Sequence, residues 1–119
     1  MVLAQALVFV HDAAKMQAFY EALGLRVMDG SAAEGFVRLA DPAGGAVLAL
    51  HHTRAIGPGG PPRTDAATKL GFHVDDVAAA RATLVAQGVT MRELFEHEGV
   101  AFCDGIDPEG NIFQLTSRR

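Results

Sequence analysis

The chain has 119 residues, half of them hydrophobic and 20% charged, which is one globular domain's length, able to bury about 65% of its unfolded surface without a metal or disulfide, and not a disordered polar segment. A net charge of −4, with no Lys/Arg cluster among aromatics, argues against nucleic acid, and the closing Arg118-Arg119 reads as a solubilising tail. Cys103 is the single cysteine, no apolar run approaches the about 18 residues a membrane span needs, and Met1 to Val10 lacks a secretion signal's basic flank and cleavage site, so a soluble, unprocessed, cytoplasmic protein without membrane partner is expected.

Residues 3–10 are apolar and end at a helix-start signal, which predicts a strand largely buried on both faces. Asp12 is the expected N-cap. Met16, Phe19, Tyr20 and Leu23 then recur at helical spacing until Gly24, which supplies a left-handed stop. Strands are predicted at 25–29, 35–40 and 46–52, separated by Asp29-Gly30-Ser31 and by Asp41-Pro42-Ala43-Gly44-Gly45. The first half therefore reads βαβββ.

Residues 53–68 contain Ile56-Gly57-Pro58-Gly59-Gly60-Pro61-Pro62-Arg63, too rich in glycine and proline for a helix or strand. They are expected to connect two halves. Without a Gly-Lys-Ser/Thr ending or a following amphipathic helix they do not form a phosphate loop; the functional alternative is a flap over a pocket.

The second half repeats the order, with a strand at 69–75, Asp76 as N-cap, a helix at 77–87 carrying Val77, Ala80 and Leu84, and strands near 89–93, 99–104 and 111–117. Gly88 follows Asp76 at the same interval as Gly24 follows Asp12, and Asp107-Pro108-Glu109-Gly110 answers Asp41-Pro42-Ala43-Gly44. The domain is thus a module 3–52, a linker 53–68 and a module 69–117. Duplicated chains of this kind often carry a ligand between their halves. A right-handed crossover is expected in each half if the strands flanking the helix are parallel neighbours.

The order of these landmarks, especially Phe19-Tyr20-Glu21-Ala22-Leu23-Gly24-Leu25, Phe72-His73-Val74-Asp75-Asp76 and Asp107-Pro108-Glu109-Gly110-Asn111-Ile112-Phe113-Gln114-Leu115, resembles the vicinal oxygen chelate superfamily over residues 3–117. Glyoxalase I, extradiol dioxygenases, fosfomycin-resistance enzymes and bleomycin-resistance proteins belong to it. The resemblance implies an α+β fold in which two βαβββ modules form a cupped, curved mixed sheet with helices on the convex side. In the enzymatic members the concave face holds a divalent metal, with ligands from four strand positions, usually His or Gln, Glu, His and Glu.

Carried over by position, those four places fall on Gln5, Ala49, Lys69 and Gln114. They offer two neutral amides, a methyl group and a cation. Hard divalent ions want anionic oxygens and zinc wants imidazole, thiolate or carboxylate, while a protonated lysine at ligand distance repels the ion. No metal and no cofactor is therefore expected.

Lys69 and His73 share one strand face because side chains alternate, as do Ala49 and His51, while His52 points the other way. The expected ligand-binding set is Gln5, Ala49, Lys69, His73 and Gln114. Lys69, His73 and His51 are the weaker candidates for catalysis, as an electrophilic or basic group or as a displaced metal site. His11 is placed in a strand-to-helix turn and His97 in a polar loop. Phe19, Tyr20, Phe72, Phe102 and Phe113 are assigned to the core, Phe9 and Phe36 to pocket walls, and Cys103 to a buried strand.

Three functions compete. The first is a metal-independent small-molecule binder, the second a superfamily lyase, isomerase, transferase or dioxygenase using Lys69 or displaced histidines, and the third an interaction domain with no cavity. A homodimer is expected from the resemblance and from the sheet edges that short modules leave.

Overall fold

The computed structural model describes residues 4–53 and 68–118. Of the expected connection 53–68, all but Thr53 and Thr68 lies outside the described residues, and the flap with it. The chain divides into two compact units, Met1–Gly59 and Gly60–Arg119.

The first unit runs β1 (Gln5–Val10), α1 (Ala13–Ala22), β2 (Arg26–Ser31), a 3-10 turn (Ala32–Glu34), β3 (Phe36–Ala40) and β4 (Val47–His52). The second runs β5 (Leu70–His73), α2 (Val77–Ala86), β6 (Thr90–His97), β7 (Val100–Ile106) and β8 (Ile112–Thr116). Each unit is the expected βαβββ module with a four-stranded mixed sheet, ordered β1-β4-β3-β2 and β5-β8-β7-β6. The first strand of each pairs parallel with the last, and the remaining pairs are antiparallel. The strands flanking each helix are parallel to one another but lie at opposite edges of their sheet, so they are not the parallel neighbours on which the crossover expectation was conditioned.

The same local chemistry starts and stops both helices. Asp12 accepts from Lys15 N at 3.0 Å and Asp76 from Ala79 N at 2.9 Å, each from an extended N-cap. After the helices Gly24 (φ 109°) and Gly88 (φ 85°) turn left-handed, and the next amides, of Leu25 and Val89, bond back to Tyr20 O and Leu84 O.

Helix α1 buries Ala13, Met16 and Tyr20 against β3 and β4, whose Val37, Leu39, Leu48 and Leu50 are likewise buried. Helix α2 buries Val77 and Leu84 over β6, β7 and β8, which contribute Cys103, Phe113 and Leu115. Each fully buried leucine of this kind stabilises by roughly 1.5–3 kcal/mol. One face of each sheet is thereby covered by its helix.

Some expectations need correction. Strand β1 is not buried on both faces: Leu7 is 40% and Phe9 52% exposed, because β1 is an edge strand and only the other face meets the core. Tyr20 and Phe113 are core, whereas Phe19, Phe72 and Phe102 are half-buried. His97 is not in a loop. It ends β6, since Glu98 (φ 50°) and Gly99 (φ 76°) make a two-residue turn that carries the β6–β7 pairing to His97 and Val100.

Candidate functional sites on the two open sheet faces

In the first unit the register sets Gln5, Leu7 and Phe9 of β1 beside Val47, Ala49 and His51 of β4, and Arg38 and Phe36 of β3 beside Ala49 and His51. Residues paired across strands share a face. At its centre Arg38 donates from Nε to Gln5 Oε1 at 3.1 Å and from Nη1 to Asp29 Oδ2 at 2.8 Å. Ala49, fully buried, offers no donor atom. His51 lies against Phe9 and Phe36, with ring centroids 5.6 and 5.7 Å away, so both expected wall aromatics flank a histidine on this face.

In the second unit Gly71 of β5 pairs with Gln114 of β8, which pairs with Asp104 of β7. Asp104 gathers its neighbours: Lys69 Nζ lies 2.8 Å from Oδ2, Gln114 Nε2 donates to Oδ1 at 3.0 Å, and Arg92 Nη1 lies 4.0 Å from Oδ2. Only 14% of the Asp104 side chain is exposed, so its charge is compensated by donors more than by water. His73 Nε2 sits 3.2 Å from Asp75 Oδ1, an outlying pair whose carboxylate is 91% exposed. Beside Phe102 the ring of Phe95 stacks at 5.2 Å.

The candidates therefore divide, Gln5, Ala49 and His51 in the first module and Lys69, His73 and Gln114 in the second. Two organising residues, Arg38 and Asp104, were not among them. The signal was present: each is a charge inside an otherwise apolar strand, Phe36-Val37-Arg38-Leu39-Ala40 and Phe102-Cys103-Asp104-Gly105-Ile106. A charge there must face away from the helix and meet a partner.

At the four carried-over positions stand two amides, a methyl group and an ammonium, with no carboxylate or imidazole among them. The oxygen of Gln5 is turned to a guanidinium, the NH₂ of Gln114 to a carboxylate, Lys69 is held in an ion pair, and Ala49 is a methyl group. Among the described residues no group of three or more His, Cys, Asp or Glu is placed to hold a metal ion. No helix among them is long and apolar enough to cross a membrane.

One further feature sits on β6. Its pairing with β7 shifts between Met91 and Leu94, leaving Arg92 and Glu93 together opposite Asp104. The carbonyl of Arg92, freed from the ladder, accepts from Arg81 Nε of α2 at 2.8 Å and from the Cys103 thiol at 3.3 Å. Met91, Arg92, Glu93, Phe95 and Asp104 line an open depression of about 540 Å³.

The model of a family described as "Glyoxalase-like domain" matches residues 5–116. Solved structures with the same fold include a bleomycin resistance determinant encoded on the transposon Tn5, at 18% identity, 100% and 99% coverage of this chain and that one, and a TM-score of 0.73. A lactoylglutathione lyase from Agrobacterium tumefaciens is 17% identical over 97% and 92%, with a TM-score of 0.72. TnmS3, an antibiotic binding protein from Streptomyces sp. CB03234, is 22% identical over 96% and 94%, with a TM-score of 0.70. No curated protein sequence matches the chain.

Proposed function

The chain belongs to the glyoxalase-like domain family, and from that premise we propose that it binds a small organic molecule without the divalent metal that the superfamily's enzymes use. The observation that carries this reading is the bonding at the carried-over ligand positions: where a metal would need oxygen lone pairs, Gln5 faces Arg38, and Lys69 and Gln114 are tied to Asp104. Gln5, Ala49, Lys69, His73 and Gln114 are the proposed ligand-binding residues. The amides and the lysine supply polar contacts, and Ala49 supplies room. That relatives of this fold include an antibiotic binding protein and a bleomycin-binding protein complexed with bleomycin is in keeping with such a role.

The protein is proposed to act as a cytoplasmic homodimer, its edge strands and net negative charge being compatible with both. The second reading, an enzyme using Lys69 or a histidine, draws on the Asp75 carboxylate beside His73.

Untagged protein is analysed for metal and its melting followed with Mn²⁺, Ni²⁺ and Zn²⁺, then with bleomycin and a panel of small organic molecules. Metal-free protein, unmoved by the ions and stabilised by a compound whose effect is lost in Lys69→Ala and Gln114→Ala, is the expected outcome. Stoichiometric tightly held metal, or binding indifferent to both substitutions, overturns the reading.

A further inference from the structure

We infer that the bulge in β6 builds a receptor for a dipolar ligand, a molecule carrying a carboxylate and an ammonium group beside an apolar body. The inference rests on the small-molecule reading above and adds a subsite that meets the proposed ligand-binding residues through Asp104, the partner of Lys69 and Gln114. Adjacent strand residues ordinarily point to opposite faces. The bulge sets Arg92 and Glu93 jointly opposite Asp104, and both line one depression.

The charges around that depression are unequally committed. Asp104 is engaged by Lys69 at 2.8 Å and Gln114 at 3.0 Å, so it and Lys69 largely cancel. Arg92 reaches Asp104 only at 4.0 Å, with 47% of its side chain exposed. A guanidinium offers five N–H donors, and one long ion pair leaves most of them for a ligand carboxylate. Glu93 is exposed and supplies the opposite charge. The 50% exposed Phe95 adds an apolar wall. A site with one cation and one anion on adjacent residues matches a ligand whose own charges lie one carbon apart, as in an α-amino acid. The apolar wall selects a hydrophobic or aromatic side chain, and the volume of about 540 Å³ is in the range of small-molecule sites.

Three probes separate the elements: L-phenylalanine, N-acetyl-L-phenylalanine, which lacks the ammonium, and L-phenylalaninamide, which lacks the carboxylate. Each is titrated into ¹⁵N-labelled full-length protein, with Arg92→Gln and Glu93→Gln as variants whose spectra also report folding. Phenylalanine is expected to shift the amides of β6 and β7, with each blocked form binding about tenfold more weakly, the size of one lost charge-assisted contact. Arg92→Gln should abolish the discrimination against the amide, and Glu93→Gln that against the acetyl form. Equal affinity for all three probes, or phenylalanine shifts confined to residues away from β6, overturns the inference. If none of the probes binds while a panel compound still binds through Lys69 and Gln114, this inference fails and the function proposed above stands; if no compound binds through those two residues either, both fall.

Discussion

Asp104 holds Lys69 by a 2.8 Å contact between carboxylate and ammonium, so the lysine at a carried-over ligand position is aimed by β7, which lies beyond β8 from the strand that Lys69 leads into. The carboxylate is the drier partner, with 14% of its side chain exposed against 43% for Lys69. Asp104→Asn should therefore cost about 1–2 kcal/mol in urea unfolding, since a charge-assisted bond is lost and Lys69 is left beside Arg92. Lys69→Ala, with its ammonium end in water, should cost less than about 1 kcal/mol. A double-mutant cycle should return positive coupling; strict additivity would mean that the pair contributes nothing.

The two Asp-Pro turns have the same sequence plan and different depth. Asp107 is buried, and its carboxylate accepts from Glu109 N and Asn111 N, both at 2.9 Å, and from the Asn111 amide group. Asp41 is exposed and accepts from Ala43 N at 2.7 Å. Asp107→Ala should cost about 2–3 kcal/mol and Asp41→Ala about 0.5–1 kcal/mol. Equal midpoints for the two variants would show that the buried bonds add no stability.

Gly105 and Gly71 both lie in strands at negative or extended φ, yet they differ in space. A methyl group at Gly105 would run into the Phe113 ring and Met91 Sδ, while one at Gly71 meets nothing within 4 Å. Gly105→Ala should cost about 1–3 kcal/mol through overpacking. Gly71→Ala should be neutral or slightly stabilising. Thermal midpoints of the two variants check this directly.

Burial raises the Cys103 thiol above its ordinary pKa, against an opposing pull from Arg81. At neutral pH folded and unfolded chains both keep the proton, so the thiol adds no pH dependence. Above about pH 8.5 the unfolded chain releases its proton while the folded one retains it, which favours unfolding. Stability should fall through the alkaline range, and Cys103→Ala should flatten that limb. A thiol reagent should label the native protein slowly and the urea-unfolded protein fast; rapid native labelling would contradict the burial.

The duplicated plan was legible because it is written in backbone chemistry. Asp12 and Asp76 can cap only the helix downstream of them, and Gly24 and Gly88 can adopt a left-handed turn at low cost, so helix ends fell within two residues of expectation. Depth was less legible. The apolar run of β1 looks the same whether one face or two are covered, and only its place at the sheet edge left Leu7 and Phe9 in contact with water. Gln5, Lys69 and Gln114 entered as positions that the family resemblance implies, while their partners Arg38 and Asp104 depend on strand order, which periodicity does not encode. The β6 bulge had no marker in Met91-Arg92-Glu93-Leu94, because a register shift exists only with respect to the partner strand.

Arg38 and Asp104 occupy the same place in the two modules, one opposite Ala49 and the other opposite Gln114, with opposite charge. An Asp104→Arg exchange would set a third cation against Lys69 and Arg92, and an Arg38→Asp exchange would turn a carboxylate on Asp29 and on the oxygen of Gln5. One backbone plan thus carries two sheet faces whose central charges cannot be exchanged, because each is matched to its own partners.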